Sequence, residues 1–200
     1  MAHCPYGVKA QNALEEVLDT FGAEISFKLH YITSVFDEAG YHDYPRKEWC
    51  HKYEDGQWYC SMHRKEETDE NLRQICAQDL YPQNNKFMDY ILCRAKNPRD
   101  PDWKKCATDN AMDAAKIETC STGEQGRKLL QADSELCEAL NIHGSPTYLW
   151  NNKHVERADP NPEAVKTVFC KHNEGTPGCE KKLSGPEAQP KGQPAGGSCG

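Results

Sequence analysis

Met1-Ala2-His3-Cys4-Pro5-Tyr6-Gly7 opens the chain, and its reading decides what the rest can be. Behind it, Ala10, Ala13, Leu14, Val17, Leu18 and Phe21 recur at helical spacing, one apolar stripe over residues 8–21. Pro5 suits the first turn of such a helix, where a missing N–H costs no hydrogen bond. Cys4 is therefore expected at the helix N-terminus, where unpaired N–H groups and the macrodipole favour a thiolate. Gly22 supplies the stop. The competing reading of Cys4 is a cysteine that caps the helix or pairs elsewhere and does no chemistry.

Composition narrows the setting. Two hundred residues suffice for one domain with a core, but an apolar share of 37% and a mean hydropathy of −0.89 leave that core thin. Eleven cysteines compensate, and a count that high points to several disulfides and an extracytoplasmic, oxidising compartment: periplasmic, secreted or endolysosomal. The closest spacings are Cys50 to Cys60 and Cys170 to Cys179; without any C-x-x-C, no metal site is expected. The count is odd, and Cys4 is the natural candidate for the unpaired thiol. The pairing of the other ten is not deducible from spacing. A net charge of −7 gives no footprint for nucleic acid. No apolar run approaches the length of a membrane span.

Beyond the first helix, Ile25, Phe27, Leu29 and Tyr31 alternate with polar residues, which predicts a strand with one buried face. Residues 33–60 read as a long ordered loop rich in Tyr and Trp, pinned by Cys50 and Cys60. Helical patterns follow at 67–79, 85–95, 102–107, 110–119 and 123–140. Cys76, Cys93, Cys106, Cys120 and Cys137 are spread along them as helix-to-helix staples. Thr147 to Trp150 and Lys153 to Glu156 read as a hairpin about Asn151-Asn152. Pro162 opens a last helix whose end is closed by Cys170 and Cys179. Residues 184–200 hold five Gly and three Pro but no Leu, Ile, Val or aromatic residue, the composition of a disordered tail. His51, His63, His143 and His172 read most simply as surface or capping residues, and His3 as a possible cation beside Cys4.

The second chemical motif is Gly144-Ser145-Pro146-Thr147, directly before a strand. Together with Cys4-Pro5-Tyr6 on an N-terminal helix it resembles the active site of thioredoxin-like oxidoreductases. There a cis-proline lies against the reactive cysteine, and the residue before it offers backbone groups to an extended peptide. The intervening segment resembles the gamma-interferon-inducible lysosomal thiol reductase family, whose signature is C-Q-H-G-x2-E-C-x2-N-x4-C. His63, Glu67, Asn71 and Cys76 stand in that register. Cys60 lies one residue too far from His63, Arg64 replaces the glycine, and Thr68 replaces a cysteine. Ile117, Cys120, Gly123, Gly126, Leu129 and Leu130 follow the family's I-x2-C-x2-G-x2-G-x2-L-[LM]. The resemblance spans residues 4–153.

The resemblance implies an α/β, thioredoxin-like domain over 1–183 with a disulfide-stapled helical insertion at about 66–140. With Met1 three residues before Cys4, the first strand of that fold and any export signal are expected to be missing from this chain. It implies a thiol–disulfide oxidoreductase, reductase or isomerase, acting on disulfide-bonded or thiol-containing protein substrates. Cys4 is the nucleophile, Pro5, Tyr6 and Gly7 shape its loop, and Ser145, Pro146 and Thr147 bind substrate. Gly7 stands where a second cysteine is usual. A mixed disulfide at Cys4 then needs a small thiol such as glutathione, a distant cysteine or a substrate thiol to resolve it; no bound cofactor is expected. The alternative is a non-catalytic thioredoxin-like module that binds peptides or partners.

Overall fold

The computed structural model describes residues 1–185 and Cys199. It is mixed α/β, mostly helix with two small antiparallel sheets. The chain divides into two compact units: Met1–His3 with Lys28–His143, and Cys4–Phe27 with Gly144–Cys199.

The second unit holds helix α1 (Pro5–Phe21), whose expected stripe from Ala10 to Phe21 is buried throughout. Gly22 closes it at φ 52°, where a side chain would be strained. A hairpin in the same unit pairs Tyr148–Trp150 with His154–Glu156, Leu149 opposite Val155. Asn151 and Asn152 take φ of 52° and 54°, the left-handed pair that a two-residue turn requires. A helix over Pro162–His172 begins on an Asn161 cap, and its end is closed by the Cys170–Cys179 bridge. Phe169 of this helix meets Phe21 edge to face at 4.8 Å. Ser184 is tied down by its N–H to Glu16 Oε1 and its carbonyl to the Glu163 N–H, each at 3.0 Å.

The chain departs from expectation in two places. Residues 33–60 are not one long loop. They form a three-stranded sheet in which Trp58–Cys60 lies between Ser34–Phe36 and Cys50–Lys52, with a short helix, α2, over Glu38–Asp43. Cys50 and Cys60 are directly opposed across that sheet and bonded. Residues 25–31, expected as a strand, enter no ladder, although their inward–outward alternation is there. Side chains serve the backbone instead. Gln78 accepts from the Leu29 N–H (2.7 Å) and donates to its carbonyl (3.0 Å), and Asp133 accepts from the Tyr31 N–H (2.7 Å).

Five longer segments then run helical: α3 (Lys65–Leu80), α4 (Phe87–Lys96), α5 (Trp103–Asp109), α6 (Ala114–Thr122) and α7 (Glu124–Ala139). Cys76–Cys120 staples α3 to α6, and Cys93–Cys106 staples α4 to α5. Tyr31, Tyr59, Leu72, Ile75 and Leu130 form a buried cluster where sheet and helices meet. The glycine-containing motif has a packing cause. A Cβ on Gly126 would stand 2.6 Å from the Cys120 carbonyl oxygen and 3.1 Å from Cys76 Sγ, so only glycine lets α7 start against the bridge. Among the described residues no helix is long and apolar enough to cross a membrane. Of the expected disordered tail, 184–200, Ser184 and Cys199 are held by hydrogen bonds and Cys199 by a disulfide, while 186–198 and Gly200 lie outside the described residues.

Candidate active site

Cys4 caps α1, as its position before Pro5 requires. Its Sγ accepts from the Gly7 N–H at 3.4 Å, so the backbone of the glycine that replaces a second cysteine faces the sulfur directly. The Ser145–Pro146 bond is cis. Cys4 Sγ lies 3.5 Å from the Ser145 carbonyl oxygen, which brings the two sequence motifs together, 141 residues apart. Thr147 Oγ1 donates to the Gly144 carbonyl at 2.6 Å and so braces the turn from within. Pro5 is exposed and Tyr6 partly so, with the Lys9 ammonium 5.9 Å from the Tyr6 ring centroid.

Cys4 is not the unpaired cysteine. It is fully buried and bonded to Cys199. Around that bond, the Ser145 N–H donates to the Cys199 carbonyl at 2.8 Å, and the Cys199 N–H donates to the Ser145 carbonyl at 2.9 Å. This is a two-bond antiparallel bridge between Cys199 and the residue before a cis-proline. Gly144 permits the approach: a Cβ there would be 2.7 Å from Arg157 Nη2 and 3.3 Å from the Cys199 carbonyl oxygen.

The unpaired cysteine is Cys137, buried on α7. Burial, reinforced by the Asp133 charge, pushes its thiol up to about 11. A thiol so held is inert. The sequence carried the signal that separates the two. Gly126, Leu130, Asp133 and Cys137 recur at helical spacing on the buried face of α7, the pattern of a core cysteine. Cys199 lies in a segment, 184–200, without Leu, Ile, Val or aromatic residues.

In the first unit, the signature residues form a polar cluster around the residues that precede Cys4. Glu67, fully buried, accepts from the His3 N–H at 2.8 Å, the His63 N–H at 3.2 Å and His63 Nδ1 at 3.0 Å. Asn71 accepts from the Ala2 N–H at 2.9 Å and donates to Thr33 Oγ1 at 3.1 Å. Burial opposes charge on Glu67. The hydrogen bond from His63, the amino-terminal charge and the His3 N–H outweigh it, and the carboxyl falls to about 2. His63 is thus more than a surface residue. Burial lowers the pKa of His3 despite Glu67, which disfavours the charged ring. Arg64, where the signature has glycine, stands at φ 75° and ψ 166°, a conformation that glycine alone adopts without strain.

No family model matches the chain, and no curated protein matches it at a significant level.

Proposed function

We propose that the protein is an extracytoplasmic thiol–disulfide oxidoreductase, of reductase or isomerase type, that acts through Cys4. One observation carries this reading. A sulfur at a helix N-terminus is bonded to a peptide residue whose backbone is itself paired with the residue before a cis-proline. That is the arrangement a disulfide substrate needs: backbone pairing fixes the peptide, and the sulfur meets it end-on.

In the reduced protein the Cys4 thiolate is stabilised by the helix N-terminus and by the Gly7 N–H. It attacks one sulfur of a substrate disulfide, forms a mixed disulfide and releases the other sulfur as thiolate. Ser145 holds the substrate backbone through its N–H and carbonyl, while Pro146 and Thr147 set the turn that presents them. Five disulfides and no membrane-spanning helix among the described residues are compatible with a secreted, periplasmic or endolysosomal setting. The thioredoxin-like fold and the kinship with lysosomal thiol reductases are part of the proposal. They are supported by the cis bond at Pro146, by the joint setting of His63, Glu67 and Asn71, and by the glycine-type backbone at Arg64.

A second reading, a non-catalytic peptide- or partner-binding module, is favoured by the burial of Cys4 and its bond to Cys199. Turnover separates the two. With glutathione as reductant, the protein should accelerate reduction of a disulfide-bonded protein substrate, and Cys4→Ser should abolish that. Equal rates with wild type, Cys4→Ser and no protein would leave the binding module.

A further inference from the structure

We infer that Cys199 is the resolving cysteine: Cys4 and Cys199 form one redox-active dithiol pair divided between the two ends of the chain. The inference rests on the reading of Cys4 as a nucleophile and adds what that reading lacks, an internal route out of the mixed disulfide.

The turn of α1 cannot supply the second thiol. Position 7 is glycine, and its N–H already faces the Cys4 sulfur. Eight other cysteines are committed in pairs to strands, helices and the end of the last helix. Cys137 is buried, and burial disfavours its thiolate. Cys199 is left, and it is already bonded to Cys4 and docked on Ser145 by two backbone hydrogen bonds. Ser184, fifteen positions earlier in the chain, is itself fastened to Glu16 and Glu163.

The electrons balance as follows. Reduced Cys4 attacks the substrate disulfide, forming a Cys4–substrate disulfide and releasing one substrate thiolate. The Cys199 thiolate then attacks Cys4 Sγ, the Cys4–substrate bond breaks, and the second substrate thiolate leaves. Two protein thiols are oxidised to one disulfide, and one substrate disulfide is reduced to two thiols. Two equivalents of a low-molecular-weight thiol reopen the Cys4–Cys199 bond and are themselves oxidised to a disulfide. Because Cys199 pairs with the Ser145 groups that hold substrate, closing the bond also displaces the product backbone.

The test uses the full chain, mildly reduced until thiol titration shows the pair open and the other four bridges intact, then freed of reductant. Comparing reduced proteins removes any stability that the bond itself supplies. The probe is a synthetic peptide disulfide-linked to a chromogenic thiol, with peptide mapping of the product. Wild type should release two thiols per molecule and return to the Cys4–Cys199 disulfide. Cys199→Ser should release one and stall as a peptide adduct on Cys4. Release of both thiols by Cys199→Ser, or a stall of wild type at one, would overturn the assignment of Cys199 while leaving Cys4 as nucleophile. No release by wild type would remove the nucleophile itself, and the inference with it.

Discussion

Replacing Glu67 by Gln isolates the charge that organises the signature cluster. The wild-type carboxyl is held at about 2 in the folded chain against an ordinary value of 4.5. A folded-state value below the unfolded one means that the charged form stabilises the fold. The contribution is complete above pH 4.5 and is lost as the pH falls towards 2. At about 1.4 kcal/mol per pH unit, the interval is worth about 3 kcal/mol at pH 7 and about 1 kcal/mol at pH 3. Gln also turns an amide N–H₂ towards the donors of His3 and His63, which adds a loss that does not depend on pH. The test is therefore the change in the gap, not the gap itself. Thermal denaturation of wild type and Glu67→Gln at pH 7 and pH 3 should show the two melting temperatures converging on acidification. For a chain of this size about 2 kcal/mol corresponds to roughly 4–8 °C. Other carboxyls titrate in both proteins and cancel in the difference. A gap of constant size would refute the argument, since a loss of shape or hydrogen bonding alone has no such dependence.

Three further outcomes follow from single positions. Arg64→Gly should stabilise the protein by about 1–2 kcal/mol in denaturant unfolding, because backbone strain of about 1–3 kcal/mol at φ 75° and ψ 166° is relieved and glycine's extra unfolded-state entropy offsets only part of it; no gain would mean that the strain is absent. Gly126→Ala should cost about 1–3 kcal/mol or more by the same measurement, since its Cβ would meet the Cys120 carbonyl at 2.6 Å. Gly7→Cys should move the partner of Cys4 from Cys199 to the new thiol and leave Cys199 alkylatable; a non-reduced peptide map that still shows Cys4–Cys199 with a free thiol at position 7 would show that the first turn does not have the geometry assumed for it.

What the sequence makes legible here is burial, and what it hides is bonding. The stripe from Ala10 to Phe21, the Asn151-Asn152 turn and the Pro162 start are each written in a few adjacent residues, and each is found in place. The alternation at Ile25, Phe27, Leu29 and Tyr31 also reports its buried side correctly. It is silent on what the N–H and C=O groups meet, and a glutamine and an aspartate on distant helices take the place of a neighbouring strand. The sheet within 33–60 is missed for a related reason. Its strands are three residues long, too short for alternation to show, and their register is fixed by the Cys50–Cys60 pair. The cap position of Cys4 and the cis bond at Pro146 are legible because each carries its own local mark. The partner of Cys4 is not, because 195 residues separate it from Cys199 and no spacing rule reaches that far.

That separation bears on what the bond can do. The other four bridges join residues 9 to 44 positions apart and tie elements that pack together. In a chain-entropy account a disulfide stabilises through the loop that it closes in the unfolded state, and a loop of 195 residues would rank highest. The folded molecule responds differently. Among the described residues, Cys199 is held by this bond and by its two hydrogen bonds to Ser145. Phe21 keeps Phe169, Gly7 still faces the Cys4 sulfur, and Ser184 keeps Glu16 and Glu163. Those described contacts do not depend on the bond, so they stay in place when it opens. A redox-active disulfide must open without unfolding the protein, and the four local bridges differ from Cys4–Cys199 in that each is set between strands or helices or at the end of one.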